Sequence, residues 1–337
     1  MKSKLHHARS KATVLAAALA LAALLGVPLV QASHGAAPLR SAVVTHPPAG
    51  SPCAAGSGPG FPGYDPVHHH VFVPNENSGN ITVLNGTCHK VATITLPLGA
   101  SPISAAFDPA NDWMYVTDDG LNQVYAIAGI TVKATITSPS IQAPRQIIWD
   151  PGDSMMLLTN DFGNFSVVGI IGTSVVGQVG VGSSPQGLCY DPFWASIIVV
   201  NSLSSNVTIL NAISPFSAPK ANVAVGFDPQ GCVFNPADNW DYVTNYGDNN
   251  VSVITGSGGS VSAVPVGALP RGIGWDQATL QVFVVDTLHG YLTLIHGLVV
   301  AKSINAGISG GEGMVYNEAN DEMYIAAFTT NNVYVEP

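Results

Sequence analysis

Five polar residues stand at equivalent places in successive copies of a repeat, and together they have the chemistry to bind an anion. Four follow the loop proline at the start of a predicted inner strand and the fifth is near the same place in the last copy: Arg145, Gln186, Gln230, Arg271 and Glu312. Two guanidinium groups that lie close together can bind a carboxylate, a phosphate or an acidic sugar. Because these residues differ from copy to copy, we interpret them as a ligand-binding set. The alternative is that each arginine pairs with a nearby Asp or Glu, or meets only water.

The element that must position these residues is a repeat of 41 to 44 residues. It begins with an aromatic residue followed by Asp or Asn, and this signature occurs seven times, at Tyr64, Phe107, Trp149, Tyr190, Phe234, Trp275 and Tyr316. Each copy contains short stretches rich in β-branched residues, separated by turn signals such as Asn85-Gly86. A period of about 40–45 residues built from short strands is the signature of a propeller blade. The sequence therefore predicts an all-β fold, a seven-bladed β-propeller of four-stranded blades, in residues 64–337.

The predicted topology sorts the loops between the two ends of the ring. We label the strands of a blade A to D from the channel outward, so that a Gly-x-x-Pro loop joins strand D to strand A of the next blade. These loops then lie at the same end as the polar residues that end the B strands: Asn75, Asp118, Asn160, Asn201, Asn245 and Asp286. Because this second set recurs in nearly every copy, we interpret it as closing backbone turns rather than as touching a ligand.

The seventh copy lacks strand D, since the chain stops at Pro337 shortly after Val335. A missing strand leaves an exposed sheet edge unless another segment covers it. A short stretch of β-forming residues, 41–45, stands before the first copy. We therefore predict that an N-terminal strand near residues 41–45 completes the last blade.

The repeat resembles that of the YVTN-type β-propeller proteins, which occur among secreted and cell-surface proteins of archaea and bacteria. The matching segments are residues 242–254 (YVTNYGDNNVSVI), residues 115–118 (YVTD) and the Gly-x-x-Pro loops, and the similarity covers residues 64–337. The resemblance implies an extracellular binding scaffold rather than a particular reaction.

The N-terminal residues 1–32 are typical of a secretory signal peptide. Several basic residues precede an apolar stretch at 12–30, and Val30-Gln31-Ala32 has the small-residue character of a cleavage site. An uncleaved membrane anchor is the alternative interpretation. We expect cleavage, no membrane span afterwards, a lead-in at residues 33–63, and a secreted or cell-surface location.

The charge balance argues against nucleic acid as a partner. Once the four basic residues of the signal segment are removed, seven basic residues stand against 21 acidic ones. Nucleic-acid binding needs clustered Lys and Arg. A surface protein or a glycan is the partner class that remains, and self-assembly through blade rims with few charges is a further interpretation.

The four cysteines suggest disulfides, as an even count does in an exported protein. Cys189 and Cys232 fall on the inner strands of adjacent blades, on opposite faces, so they either share the interface between blades four and five or point away from each other. Cys53 and Cys88 are the remaining pair.

Two functional interpretations follow from these observations. The first is an exported, non-catalytic scaffold with no cofactor that binds a cell-surface, glycan or protein partner. The second is a propeller hydrolase or lyase with its site at the channel mouth. A lactonase would ligate calcium with Glu312 and the strand-end residues Asn160, Asn201 and Asn245. A lyase would use His289 with Glu312, although a second histidine is missing.

Overall fold

The protein is a ring of seven antiparallel sheets, each with four strands. The structure is a computed structural model that describes residues 52–336, and this range contains 28 strands. The predicted seven-bladed β-propeller of four-stranded blades is therefore confirmed. The predicted signal peptide, residues 1–32, lies outside the described residues. Within the described range the chain forms no helix that could cross a membrane.

The strands of the first four blades follow one another in chain order, after one preceding strand, β1 (Pro52–Ala54). Blade 1 is β2 (Gly63–Asp65), β3 (His70–Asn75), β4 (Asn80–Asn85) and β5 (Lys90–Thr95). Blade 2 is β6 (Pro102–Asp108), β7 (Trp113–Asp118), β8 (Gln123–Ala128) and β9 (Thr131–Thr137). Blade 3 is β10 (Pro144–Asp150), β11 (Met155–Asn160), β12 (Ser166–Ile171) and β13 (Ser174–Gly180). Blade 4 is β14 (Pro185–Asp191), β15 (Ser196–Asn201), β16 (Asn206–Asn211) and β17 (Ala221–Ala224).

The last three blades continue the same order, and the seventh is short of one strand. Blade 5 is β18 (Pro229–Asn235), β19 (Trp240–Asn245), β20 (Asn250–Thr255) and β21 (Ser260–Pro265). Blade 6 is β22 (Pro270–Asp276), β23 (Gln281–Asp286), β24 (Tyr291–His296) and β25 (Val299–Asn305). Blade 7 has β26 (Gly311–Asn317), β27 (Glu322–Ala327) and β28 (Asn332–Glu336).

The core lies between the blades, because each sheet packs both of its faces against neighbouring sheets. The middle strands β11, β15 and β27 are buried at every position, so they read as nearly continuous apolar runs. At the interface of blades 1 and 2, for example, Phe72 and Val83 pack with Met114 and Tyr125. This packing around the ring fixes the inner strands that carry the candidate site.

A β-bulge begins the inner strand of every blade from the second to the seventh. In blade 3 the register shifts between Pro144 and Ile147, so that Arg145 and Gln146 stand opposite one residue of β11. The same shift follows the first residue of the inner strands β6, β18, β22 and β26, and in β14 the single residue Gln186 is inserted at this place. A bulge bends the strand and turns a side chain away from the regular pleat. The five candidate residues occupy these bulges.

The residue before the loop proline adopts a left-handed backbone in four blades. The φ angles lie between 46° and 56° at Ala143, Ser184, Asp228 and Leu269. Non-glycine residues rarely adopt this conformation. It persists only where the surrounding structure holds the backbone in place, and such positions cluster at functional sites. Here it turns the chain sharply into each bulge.

In blades 1 and 3 the polar residue that ends the B strand holds the loop, in agreement with the turn-closing interpretation. In blade 1, Asn75 Oδ1 accepts from the Gly56 N–H at 3.0 Å, and Asn75 Nδ2 donates to Thr82 Oγ1 at 3.0 Å. In blade 3, Asn160 Oδ1 accepts from the Gln142 N–H at 3.0 Å while its amide donates inward. Buried amides saturated in this way are part of the scaffold.

An N-terminal strand completes the last blade, as expected, but it is not at the place predicted. β1 pairs antiparallel with β28, with Cys53 opposite Val333, and so supplies the missing outer strand of blade 7. Residues 41–45, to which we assigned this role, lie outside the described residues. The two ends of the propeller are thus joined in one sheet, which leaves no unpaired gap between blades 7 and 1.

Both cysteine pairs form disulfides that join neighbouring blades. Cys189 is bonded to Cys232 across the inner strands of blades 4 and 5, and Cys53 is bonded to Cys88 between β1 and the outer hairpin of blade 1. Disulfides form and persist in oxidising compartments. The pairs therefore point to an extracytoplasmic location.

Candidate functional site

Threonines of the preceding blades hold the bulges that carry the two arginines. Thr117 Oγ1 of blade 2 donates to the Arg145 carbonyl oxygen of blade 3 at 2.6 Å. Thr244 Oγ1 of blade 5 donates to the Arg271 carbonyl oxygen of blade 6 at 3.0 Å. Both threonines belong to the Tyr-Val-Thr-Asn/Asp stretch of strand B. The repeat motif thus positions the backbone of each candidate arginine from the neighbouring blade.

Arg271 and Glu312 form an ion pair across blades 6 and 7. Arg271 Nη1 lies 2.5 Å from Glu312 Oε1, and the two side chains are 22% and 10% exposed. Burial raises the pKa of the Glu312 carboxyl, while the charges of Arg271 and Arg145 act in the opposite direction. For Arg271, the alternative interpretation of pairing with a nearby acid is therefore what the structure has.

Small residues allow these two bulges to approach each other. A Cβ atom added to Gly272 would lie 2.9 Å from the Glu312 carbonyl oxygen, closer than real Cβ contacts come. Glycine permits such backbone approach because it has no side chain. The Arg271–Glu312 pair thus depends on a glycine directly after the arginine.

Arg145 has a different environment, because its partner is neutral. Arg145 Nε donates to Gln186 Oε1 of blade 4 at 3.1 Å, and Gln186 Nε2 donates to Ser184 Oγ at 3.0 Å. Ser184 Oγ in turn donates to Asp161 Oδ1 at 2.5 Å. Among the described residues, no hydrogen-bond partner faces the two terminal NH2 groups of Arg145. A chain of three side chains therefore holds a guanidinium whose two terminal groups are unpaired.

Gln230 is held in a parallel way in the next blade. Gln230 Nε2 donates to Asp228 Oδ1 at 2.6 Å, and Ser202 Oγ donates to the same oxygen. The structure thus joins the candidates in two pairs, Arg145 with Gln186 and Arg271 with Glu312. Gln230 is bonded to Asp228 rather than to another member of the set.

Acidic residues that the sequence analysis missed surround this mouth. Burial raises the pKa of Asp119, the charge of Arg145 opposes that rise, and the charge of Asp161 adds to it. The charge of Glu76 likewise raises the pKa of Glu312. Glu76, Asp119 and Asp161 each directly follow the polar end of a B strand, and this place in the repeat is the signal that could have identified them.

Below the mouth, the channel contains a cavity of about 350 Å³. Its walls come from the inner strands of six blades, with Arg271 at the charged end and Ile147, Ile273 and Met314 among the apolar lining. Cavities of this size that are largely apolar with a few polar groups are typical small-ligand sites. The arrangement suits a ligand whose polar end meets Arg271.

The residues of the two catalytic interpretations have other partners in this arrangement. Asn201 and Asn245, like Asn160, donate their amides to strand C of their own blades. His289 lines a separate cavity in blade 6, whereas Glu312 pairs with Arg271 on the inner strand. In residues 52–336 no group of three His, Cys, Asp or Glu is close enough to hold a metal ion.

Comparison with known proteins gives the fold alone. No protein-family model and no curated protein sequence matches the chain. Solved structures do match it over most of their length. Hydrazine synthase from Kuenenia stuttgartiensis is 16% identical, with 88% of this chain and 98% of that chain covered and a TM-score of 0.70. Virginiamycin B lyase from Staphylococcus aureus is 13% identical, with 83% of this chain and 95% of that chain covered and a TM-score of 0.70, and a chain of the mitotic checkpoint complex is 14% identical, with 92% and 97% covered and a TM-score of 0.72. At such low identity these likenesses establish the propeller architecture and no shared activity.

Proposed function

We propose that the protein is an exported, non-catalytic β-propeller that binds an acidic cell-surface glycan at the mouth of its channel. The observation that carries this proposal is the state of Arg145. Its Nε is fixed by Gln186 at 3.1 Å, while its terminal NH2 groups have no partner among the described residues. A guanidinium presents paired N–H donors that match a carboxylate, so these groups are ready for a carboxylate ligand.

The rest of the mouth favours a sugar acid over a polyanion. Gln186 and Gln230 offer amide groups to hydroxyls, and their own positions are fixed by Ser184 and Asp228. The carboxylates of Asp119, Asp161 and Glu312 make the surroundings acidic. A densely charged polyanion is repelled by such a field, whereas a single carboxylate that reaches Arg145 is not. Isolated carboxylates among hydroxyls are the chemistry of uronic acids.

Export is supported by independent features. The two disulfides indicate an oxidising compartment. The signal-peptide pattern of residues 1–32 and the resemblance to YVTN-type surface proteins agree with that location. Membership of that family is part of the proposal, as is a surface role for the protein.

A calorimetric titration tests the proposal. The probe is a trimer of galacturonic acid, and its methyl ester is the matched neutral ligand. We expect the acid to bind and the ester to bind at least about 10-fold more weakly, since the ester cannot form the charged hydrogen bonds. Arg145→Ala should weaken acid binding by a similar factor.

Lys133→Ala is the control variant, because it removes one positive charge from an exposed position on β9 of blade 2. It should bind the acid as the unchanged protein does. Equal binding of acid and ester, or full affinity in Arg145→Ala, would contradict the proposal. A partner that binds elsewhere, such as another surface protein, would bind Arg145→Ala as well as it binds the unchanged protein.

A further inference from the structure

A second cavity lies in the outer part of blade 6, apart from the inner strands. Its volume is about 390 Å³, and we call it the blade-6 pocket. Asp286, His289, Tyr291 and Thr293 line one side, and Ser303 and Val300 of β25 line another. The loop from blade 5, which includes Val266 and Gly267, completes the wall.

Asp286 brings a buried carboxylate oxygen without a partner to this pocket. The residue is 2% exposed, and its Oδ1 accepts from the N–H groups of His289 at 2.7 Å and Gly290 at 3.0 Å. Its Oδ2 has no hydrogen-bond partner among the described residues, and the same holds for Asn201 Oδ1 and Asn245 Oδ1 at the equivalent place in blades 4 and 5, but of these three only Asp286 is a carboxylate. A buried carboxylate oxygen without a donor is costly, and such atoms are rare in native structures.

At the same position in blade 2, both carboxylate oxygens of an aspartate accept hydrogen bonds. Asp118 Oδ1 accepts from the Ser101 N–H at 2.8 Å. Its Oδ2 accepts from Gln123 Nε2 at 3.1 Å and from the Tyr125 hydroxyl at 2.9 Å. An acid at this place therefore carries its own donors when it is only structural. Asp286 Oδ2 has no such pair of donors.

In blade 4, where an asparagine occupies this place, its amide donates to a network of side chains on strands C and D. Asn201 Nδ2 donates to Asn206 Oδ1 at 2.8 Å and to Thr208 Oγ1 at 2.9 Å, and Thr208 donates to Asn222. In blade 6 the corresponding residues by strand register are Tyr291, Thr293 and Ser303. The amide donor at the base of the blade-4 network is thus replaced by an acceptor oxygen.

The chemistry of the blade-6 pocket selects a positively charged organic group. A donor with a full charge best compensates a buried carboxylate. The pocket is far larger than a metal ion, and Val266 and Val300 give it apolar walls that suit an alkyl chain. We propose that the blade-6 pocket binds an aliphatic ammonium group, of a free amine or a lysine side chain, with Asp286 as its counter-ion.

The test uses the full-length protein and isothermal titration with n-butylammonium, with 1-butanol as the neutral ligand of the same shape. We expect n-butylammonium to bind and 1-butanol to bind at least about 10-fold more weakly. Asp286→Asn should reduce the affinity for n-butylammonium by about 10- to 100-fold, because it removes the charged acceptor. That variant should fold normally, since asparagine occupies the equivalent place in blades 1, 3, 4 and 5; an unchanged circular dichroism spectrum checks this.

Asp112→Asn, at an exposed turn of blade 2, is the matched control and should leave binding unchanged. A blocked lysine peptide, tested beside n-butylammonium, distinguishes the two sources: tighter binding of the peptide indicates a protein partner, and equal binding indicates a free amine. No binding of either ammonium probe, equal binding of 1-butanol, or full affinity in Asp286→Asn would each overturn the proposal.

Discussion

Thr117 donates its hydroxyl to the carbonyl oxygen of Arg145 in the next blade, with 2.6 Å between the two oxygen atoms. The hydroxyl also lies near its own blade's inner strand, where Thr117 Oγ1 accepts from the Ser104 N–H at 3.1 Å. One side chain of the repeat motif therefore joins two adjacent inner strands at the point where one of them bulges. The backbone of Arg145 and the repeat motif are therefore physically coupled.

Replacing this hydroxyl by a methyl group should loosen the bulge. We expect Thr117→Val to lower the free energy of unfolding by about 1 kcal/mol, the net value of a buried hydrogen bond. Valine fits the space, because Val200 and Val285 occupy the equivalent place in blades 4 and 6. Urea denaturation measures the change, with Thr135→Val on the exposed strand β9 as control. A loss no greater than in the control would show that the hydroxyl does not hold the bulge.

Breaking the Arg271–Glu312 pair should cost more than removing it entirely. Glu312→Gln leaves a half-buried guanidinium without its counter-charge, and we expect a loss of about 3 kcal/mol in the free energy of unfolding. Arg271→Met in the same protein removes that charge, so the double variant should recover part of the loss. A double-mutant cycle from urea denaturation measures the coupling. Strictly additive losses would mean that the pair contributes no interaction of its own.

Asp241 makes stability depend on pH. It is 3% exposed, and burial, with the charges of Asp191 and Asp238, raises its pKa to about 8. Because the folded state keeps this proton while the unfolded state releases it near pH 4, the side chain lowers stability progressively as the pH rises from about 4 to about 8. Below pH 4 both states are protonated and the effect vanishes.

Asp241→Asn should therefore stabilise the protein more at pH 7.5 than at pH 4.5. We expect the two differences in free energy of unfolding to differ by more than about 1.4 kcal/mol, the equivalent of one pKa unit. Asp112→Asn, at an exposed turn of blade 2, is the control variant measured at the same two pH values. A constant difference for Asp241→Asn across this range would mean that the buried carboxyl is ionised in the folded protein.

The disulfide between Cys53 and Cys88 should act on ring closure. Cys53 lies in β1, which completes blade 7, whereas Cys88 belongs to blade 1. Replacing both by serine should lower the free energy of unfolding by about 2–4 kcal/mol. Hydrogen exchange should quicken in β1 and β28, while Cys189→Ser with Cys232→Ser should leave those strands protected. Unchanged protection of β1 in the first variant would show that pairing with β28 alone closes the ring.

The architecture could be predicted from the sequence because the repeat signature occurs seven times at a nearly constant spacing. The period, the aromatic turns and the loop prolines identify the blades, the strand order and the residues at the start of the inner strands. The incomplete seventh copy even required an N-terminal strand, although it was assigned to residues 41–45 instead of Pro52–Ala54. A three-residue strand has too little pattern to be recognised on its own.

The contacts of the site were beyond such reasoning. Arg271 and Arg145 look alike in the repeat, yet one pairs with Glu312 and the other with Gln186. Which neighbour a long side chain reaches depends on close backbone approach, such as that at Gly272, and no local pattern encodes it. The unpaired oxygen of Asp286 could not be predicted either, because its hydrogen bonding depends on the donors that strands C and D of the blade supply.

The most direct test of the account is to observe the side chain of Arg145 while an acidic sugar is added. In a nuclear magnetic resonance titration, the guanidinium signals of Arg145 and Arg271 can be assigned by loss of one signal in Arg145→Ala and the other in Arg271→Met. The account predicts that a galacturonate trimer shifts the Arg145 signal in a saturable way and that its methyl ester does not. An Arg145 signal that stays unchanged at saturating trimer, or that moves equally with the ester, would contradict it.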